Sequence, residues 1–159
     1  MPADTRDPTP GTPAEKSQVK QRRAWDDPEP ASPIKRQVLI VDDDAQTCAL
    51  LSKCLSDMGV ETQIARTGEH ALDALQHMQP DLVLLDYEMP GMNGLKCLET
   101  IRKTRPEVRV VMVTASKRPD IVKEAHLLGA VGYVVKPFDV SEIKKRLTHF
   151  LEPSPAVAS

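Results

Sequence analysis

Five short apolar runs, each about the length of a β-strand, recur along the chain from residue 37 onward. They occupy residues 38–41, 60–65, 82–85, 108–113 and 131–135. Each run is followed by a stretch in which apolar residues recur at helical spacing. Alternating strands and helices of this kind are typical of repeated βα units, which build a parallel sheet. The pattern therefore predicts an α/β fold, a (βα)5 doubly wound sheet of five parallel strands with helices on both faces.

Capping and breaking residues mark the ends of the five predicted helices. The starts are Asp44, Thr67, Asn93, Pro119 and the capping box at 139–142, and the first four ends are Gly59, Pro80, Pro106 and Gly129. The helical side chains that we expect to be buried are Cys48, Leu51, Leu55, Met58, Ala71, Leu72, Leu75, Leu95, Leu98, Ile101, Ile121, Val122, Ala125, Leu128, Ile143, Leu147 and Phe150.

The chain outside the βα pattern has a different composition. Residues 1–36 hold seven of the fourteen prolines and few large apolar side chains, so they can bury too little surface to fold. This extension carries a basic cluster, then Trp25, then acidic residues, and both a docking motif and a plain solvated tail remain open interpretations. We expect one folded domain over 37–151, a disordered extension over 1–36 and a flexible tail over 152–159.

Composition narrows the classes of function and the location. A formal net charge of −2 and an aromatic content of 3% argue against a basic or stacking surface that contacts nucleic acid directly. Cys48, Cys54 and Cys97 form no CxxC pair, which favours apolar filler positions in a reducing compartment over disulfides or a zinc site. No apolar stretch approaches the ~20 residues of a membrane span, and the N-terminus lacks the apolar core of a signal peptide. We therefore expect a cytoplasmic protein with no membrane contact.

The run at residues 82–85 contains four apolar residues without polar alternation and ends abruptly on Asp86. Such a run fits a strand buried on both faces, as in a parallel sheet. Ligands of these sheets bind beyond the carboxyl ends of the strands, which is where Asp86 stands. Turn residues at 90–94 then release the chain into the third helix.

Polar side chains stand at the ends of four of the five predicted strands. Asp42 and Asp43 follow the first strand, Asp86 the third, Thr114 the fourth and Lys136 the fifth. Clustered carboxylates repel one another and need a cation, and oxygen ligands suit Mg²⁺. A lysine and a hydroxyl suit phosphoryl oxygens. Each residue alone has an ordinary structural explanation, but together they indicate phosphoryl transfer onto Asp86.

On these motifs residues 37–151 resemble the receiver domain of two-component response regulators and are similar in plan to the stand-alone chemotaxis receiver. The matching stretches are residues 38–44, 84–94, 113–115 and 132–138. The resemblance implies a flavodoxin-like sheet with strand order 2-1-3-4-5.

The resemblance also implies a phosphoryl donor and a metal. A histidine kinase, a histidine phosphotransferase or a small phosphodonor would transfer the phosphoryl group to Asp86. The Mg²⁺ ligands would be Asp43, Asp86 and the backbone carbonyl of Glu88, with Asp42 acting through water.

Three further residues acquire roles through the resemblance. Thr114 and Lys136 would hold the phosphoryl oxygens, and Tyr133 would change rotamer together with Thr114 as the conformational switch. A cis peptide bond is expected before Pro137, which sets the direction of the lysine.

Glu88 and Ser116, two residues past Asp86 and Thr114, are expected to lie over the mouth of the site and to tune the lifetime of the phosphoryl group. We expect the Glu88 carboxylate to reach the Lys136 ammonium and to lie across the opening, where it would shield the phosphorus from water.

The function predicted from sequence is that of a stand-alone phosphoacceptor, which modifies itself, turns over no external substrate and is therefore not classed as an enzyme. It would signal to an output protein through the face of the fourth helix, fifth strand and fifth helix, as a monomer or a phosphorylation-dependent dimer. That face is expected to expose Lys144, Lys145, Arg146 and His149 beside Tyr133. Two alternatives are the receiver part of a longer regulator and an unphosphorylated docking module.

Overall fold

A computed structural model describes residues 35–152 of the chain. Its strands are β1 (Gln37–Val41), β2 (Glu61–Ala65), β3 (Leu82–Leu85), β4 (Val110–Thr114) and β5 (Gly132–Val135). Its helices are α1 (Ala45–Asp57), α2 (Gly68–Leu75), α3 (Gly94–Thr104), α4 (Pro119–Leu127) and α5 (Val140–Leu151). The expectations for the two terminal segments fall almost wholly outside the described residues.

The five strands form one parallel sheet in the order β2-β1-β3-β4-β5. Val41 at the end of β1 is in register with Ala65 on one side and with Leu85 on the other. The carboxyl ends of β1, β2 and β3 therefore lie level with one another. The predicted doubly wound fold and its strand order are confirmed.

Alternate residues of β1 serve two separate cores. Val38 and Ile40 pack with apolar side chains of α1 and α5, whereas Leu39 and Val41 pack with those of α2, α3 and α4. All four are fully buried. The helices thus cover both faces of the sheet, which explains why β3 and β4 and most of β1 are apolar without polar alternation, whereas the edge strand β2 is largely exposed.

The helix starts follow the predicted capping chemistry. The Asp44 carboxylate accepts hydrogen bonds from the first-turn amides of α1, and Asn93 Oδ1 accepts one from Lys96 N at 2.9 Å. Asp139 Oδ1 accepts one from Glu142 N at 2.7 Å. These bonds satisfy amides that a helix start leaves without an intrahelical partner.

The boundaries differ from the predicted ones by a few residues. Strands β2 and β4 begin one and two residues later than their apolar runs, because Val60 and Val108 donate instead to Leu55 O and Arg105 O within turns. Strand β5 begins one residue later than its run. Helix α2 ends at Leu75, well before Pro80.

Some predicted core positions are only half-buried, because most of them lie near helix ends where fewer elements cover them. These positions are Met58, Leu72, Leu95, Val122 and Leu128.

None of the helices within residues 35–152 is long and apolar enough to cross a membrane.

Gly94, the first residue of α3, lies directly against the backbone of Asp86 and Tyr87. Its amide donates to Tyr87 O at 2.8 Å. A Cβ atom at this position would overlap the carbonyl oxygen of Asp86 and would stand 2.7 Å from Tyr87 Cα. Backbone atoms cannot move aside as a flexible side chain can, so α3 approaches β3 this closely only with glycine here.

We predict that Gly94→Ala lowers the free energy of unfolding by about 1–3 kcal/mol, because the added methyl group overpacks against backbone. Urea denaturation will measure the change. Gly68→Ala is the matched control, since Gly68 is also the first residue of a helix, but a Cβ atom added there would stand 3.0 Å from Sδ of the flexible Met92 side chain. Equal losses in the two variants would contradict the argument.

The three cysteines are free and buried, as predicted for apolar fillers: Cys48 is 3% exposed, Cys54 1% and Cys97 0%. Burial raises the pKa of all three thiols, and that of Cys97 to about 12. The reactive thiolate form is therefore scarce at neutral pH.

We predict that Cys97 in the folded protein reacts negligibly with a thiol-specific reagent at pH 8. With a pKa of about 12, roughly one thiol in 10,000 is ionised at that pH, and the side chain is also sterically covered. Peptide mapping after brief labelling will measure this, with protein unfolded in urea as the control in which all three cysteines react. Rapid labelling of Cys97 without unfolding would overturn the prediction.

Candidate functional site

The structure brings three predicted acidic residues together at the carboxyl edge of the sheet. Asp42 and Asp43 directly follow β1, and Asp86 directly follows β3, its neighbour in the sheet. One carboxylate oxygen from each of the three lies within 4.8 Å of those of the other two. Asp42 and Asp86 are buried, whereas Asp43 is exposed. Such proximity of like charges is unfavourable unless a cation compensates it.

Lys136 supplies one such cation from the end of β5. Its Nζ donates to Asp42 Oδ2 at 2.7 Å and to Asp86 Oδ2 at 3.4 Å. The first bond joins residues 94 positions apart in the chain. Burial lowers the pKa of Lys136, but the hydrogen bond to Asp42 and the charge of Asp86 raise it more, so the pKa lies above its usual value. The ammonium group is therefore charged at neutral pH.

Asp42 is held through both of its carboxylate oxygens. Oδ2 accepts the bond from Lys136, and Oδ1 accepts one from Asp44 N at 2.9 Å. Burial raises the pKa of Asp42, and these bonds only partly oppose the increase. Within residues 35–152 the Asp43 carboxylate accepts no hydrogen bond, so of the pair it is the one better placed to bind a cation directly.

Asp86 is 6% exposed and keeps one oxygen weakly engaged. Oδ2 faces Lys136, and Oδ1 accepts a 3.4 Å contact from Glu88 N. The turn between β3 and α3 therefore wraps around the carboxylate, and the close approach of Gly94 holds that turn against the strand.

Thr114 is fully buried at the end of β4 and faces the same edge. Its Oγ1 accepts a bond from Ser116 N at 3.3 Å, and its carbonyl accepts one from Lys136 N at 2.9 Å. Within the described residues its hydroxyl does not bond to the aspartates. Thr114 thus connects the loop after β4 with the strand that carries the lysine.

Tyr133 is joined to the same loop. Its hydroxyl donates to Ser116 O at 2.8 Å, and its own carbonyl accepts a bond from Arg146 Nη2 at 3.1 Å. Burial raises the pKa of Tyr133, so the phenol is protonated and can donate. Ser116 is therefore the shared contact of the two predicted switch residues, Thr114 and Tyr133.

The peptide bond between Lys136 and Pro137 is cis, as the resemblance implied. The contact expected between Glu88 and Lys136 is not among the bonds of the described chain. Asp42 and Asp86 engage the ammonium from within the buried pocket, whereas the Glu88 side chain is exposed at its edge. Within residues 35–152 no hydrogen bond or ion pair therefore holds the Glu88 side chain across the opening of the site.

Of the predicted basic face, Lys145 and His149 are exposed, whereas Lys144 and Arg146 are half-buried. Lys144 Nζ lies 3.5 Å from Asp57 Oδ2. The guanidinium of Arg146 stands 5.7 Å from the centre of the Phe150 ring.

One residue near the site was missed by the sequence analysis. Arg66 Nη2 donates to the main-chain carbonyl of Asp43 at 2.9 Å. The signal was its position directly after β2, because β2 and β1 end side by side in a parallel sheet.

The chain is similar in sequence to a known protein family and to several curated proteins. A model of the response regulator receiver domain matches residues 38–148. Sporulation initiation phosphotransferase F of Bacillus subtilis (strain 168) is 36% identical over 118 residues, which cover 74% of this chain and 95% of that protein. Several curated regulators are matched over only 23–25% of their own length.

Two solved structures are similar. The response regulator receiver domain protein (CheY-like) from Methanospirillum hungatei JF-1 has a TM-score of 0.71 and 28% identity, covering 74% of this chain and 94% of that one. The CheX-CheY-BeF3-Mg²⁺ complex from Borrelia burgdorferi gives a TM-score of 0.70 and 30% identity, covering 74% and 90%.

We predict that Lys136→Met lowers the free energy of unfolding in metal-free buffer by about 2 kcal/mol, because two buried carboxylates lose their counter-charge. The expected loss of stability is smaller than for a fully buried ion pair, because the lysine side chain is 17% exposed. Lys145→Met, on the exposed side of α5, is the control and should change little. Urea denaturation in EDTA will measure the free energy of unfolding of both variants. Equal values for Lys136→Met and Lys145→Met would show that Lys136 does not balance the charge of the acidic cluster.

Proposed function

This chain belongs to the family of response regulator receiver domains, and from that premise we propose that Asp86 is the residue that accepts the phosphoryl group. The observation that carries the proposal is the Lys136 ammonium, which contacts Asp86 inside a cluster of three carboxylates. That arrangement provides both a nucleophile and positive charge where phosphoryl oxygens must be held.

Asp86 is the best nucleophile of the three carboxylates for geometric reasons. Asp42 is fixed through both oxygens, and Asp43 stands exposed at the rim. Asp86 is buried at the centre and has Oδ1 engaged only by the long contact from Glu88 N. In the transfer, a carboxylate oxygen of Asp86 forms a bond to phosphorus while the bond from phosphorus to the donor nitrogen or oxygen breaks, and the donor leaves with that electron pair.

The acidic cluster fits a divalent cation, because its oxygens lie within 4.8 Å of one another and hard oxygen ligands suit Mg²⁺. We propose that Asp43, Asp86 and the carbonyl of Glu88 bind Mg²⁺ directly and that Asp42 acts through water. When bound, the ion supplies positive charge to the phosphoryl oxygens and offsets the repulsion among the carboxylates. The presence of Mg²⁺ and BeF3 in the related Borrelia complex supports this assignment.

Lys136 and Thr114 complete the proposed set. Lys136 already faces the Asp86 carboxylate, so its ammonium can donate to a phosphoryl oxygen attached there. Thr114 is buried at the end of the adjacent strand, and its Oγ1 accepts a bond from Ser116 N while the O–H remains available to donate to a phosphoryl oxygen. The hydroxyl would thereby couple phosphorylation to the loop after β4.

The coupling continues to Tyr133, whose hydroxyl contacts Ser116 O. We propose that phosphorylation shifts the population of this loop and of Tyr133, and that the face of α4, β5 and α5 transmits the change to an output protein or a second copy. Arg146, bonded to the carbonyl of Tyr133, connects α5 to this shift.

Glu88 and Ser116 are proposed to tune the lifetime of the phosphoryl group from the rim of the site. Support comes from the contacts of their amides with Asp86 Oδ1 and Thr114 Oγ1, which place both residues beside the reacting groups.

A receiver domain is a signalling module, and we propose that this chain turns over no substrate other than itself. A histidine kinase or histidine phosphotransferase is the proposed phosphoryl donor, supported by the relative that is named a phosphotransferase. The 95% coverage of that relative favours a stand-alone receiver. Relatives matched over 23–25% of their length support the alternative, a receiver within a longer regulator.

We predict that a small acyl phosphate plus Mg²⁺ adds one phosphoryl group to the protein and that Asp86→Asn abolishes the addition, because an amide is not nucleophilic. Intact-protein mass spectrometry will measure it. Removal of Mg²⁺ with EDTA should also suppress the reaction.

The control is Asp73→Asn, which makes the same chemical change at an exposed position of α2 and should leave phosphorylation at the level of the parent. Undiminished phosphorylation of Asp86→Asn would show that another residue is the acceptor.

A further inference from the structure

Arg66 reaches the candidate site from the end of β2, the one strand that supplies none of the proposed metal-binding and phosphoryl-binding residues. It directly follows Ala65, the last residue of β2, and Asp42 N donates to Ala65 O at 3.0 Å. The side chain then returns to the loop after β1, where Nη2 donates to Asp43 O at 2.9 Å. Arg66 therefore touches the backbone of a proposed metal ligand and not its carboxylate.

The orientation of the Asp43 side chain depends on the two peptide planes that flank its Cα atom. The plane before it is held by Cys48 Sγ, which donates to Asp42 O at 3.3 Å. The plane after it is held at both ends, since Arg66 binds Asp43 O and Asp42 Oδ1 binds Asp44 N. Arg66 supplies the only one of these contacts that comes from outside the loop after β1 and helix α1.

The Asp43 carboxylate itself accepts no bond within residues 35–152, and it is exposed. Nothing in the described chain other than its backbone therefore fixes where that carboxylate points. A ligand that is held in position before the ion arrives loses less conformational entropy on binding, and partners that orient a ligand raise metal affinity for this reason.

We infer that Arg66 is a positioning residue that holds the backbone of Asp43 and thereby strengthens the binding of a divalent cation. The inference rests on the proposed function of the site. Arginine suits the role because its guanidinium carries several donors in a rigid planar fork and keeps its charge at all accessible pH values.

The charge of Arg66 has the opposite effect on affinity, because a cation near the site repels Mg²⁺. Arg66 is exposed, so salt screens that repulsion over about 8 Å at physiological ionic strength. A hydrogen bond that fixes the backbone is much less sensitive to salt. The two effects therefore predict opposite changes in affinity on removal of Arg66, and the sign of the measured change distinguishes them.

The test is a titration of the full chain with MgCl₂ at constant ionic strength and without any phosphodonor, followed by the amide NMR signals of residues near Asp86. We expect Arg66→Met to raise the Kd for Mg²⁺ about tenfold, the lower end of the range for residues that orient metal ligands. Arg66→Lys, which keeps the charge and can still donate a hydrogen bond to Asp43 O, should stay within about threefold of the parent. The Mg²⁺ concentration for half-maximal phosphorylation should rise in parallel.

Arg109→Met is the matched control. Arg109 also donates to a main-chain carbonyl, that of Glu152 at 3.1 Å, but it lies at the amino end of β4, away from the site. The variant removes the same charge and the same kind of bond, and its Kd for Mg²⁺ should equal that of the parent.

Unfolding in EDTA separates positioning from simple stabilisation. Arg66→Met and Arg109→Met should lose similar metal-free stability, and Arg66→Met should gain less from added Mg²⁺, because ligand binding stabilises in proportion to RT ln(1 + [L]/Kd). An unchanged or lower Kd in Arg66→Met would overturn the inference. Absence of Mg²⁺ binding in the parent would instead refute the proposed function of the site.

Discussion

Repulsion among three carboxylates at one edge of the sheet is the constraint on which the rest of this structure depends. Two of them are buried, and within residues 35–152 a single ammonium, that of Lys136, enters the cluster and leaves two formal negative charges uncompensated. The sheet must therefore hold together an arrangement that electrostatics alone would push apart. It does so with the buried apolar strands β1, β3 and β4, so that the hydrophobic effect stabilises the strands while the loops carry the charge. The remaining negative charge is the physical reason for proposing that a divalent cation binds here.

The fold was largely predictable because its signals are local. The unbroken apolar run of β3 indicates burial on both faces, and Asp44, Asn93 and Asp139 cap their helices through bonds two or three residues away. The convergence of Asp42, Asp86 and Lys136 also followed from topology, since parallel strands bring their carboxyl ends to one edge. These inferences need only the order of the elements and no side-chain detail.

Contacts that depend on side-chain reach could not be predicted in the same way. Glu88 and Arg66 both lie in loops beside the cluster, and nothing in the local sequence shows that the side chain of Arg66 bonds to the cluster whereas that of Glu88 does not. The Lys136 ammonium is already paired with the buried carboxylates of Asp42 and Asp86, so a further contact with the exposed Glu88 carboxylate would add little. The need for glycine at position 94 could not be predicted either, because the backbone atoms of Asp86 and Tyr87 that exclude a side chain there are brought close only by the folding of the turn.

The bond between Lys136 and Asp42 also has a consequence for the order in which the protein is made. Synthesis proceeds from the N-terminus, so the chain has produced all three aspartates well before it produces the lysine 94 residues after Asp42. Until β5 joins the sheet, a nascent chain holds an acidic cluster with neither its buried ammonium nor the strand that carries Tyr133. Under the proposed function, the complete phosphoacceptor site therefore forms only when the last strand is in place.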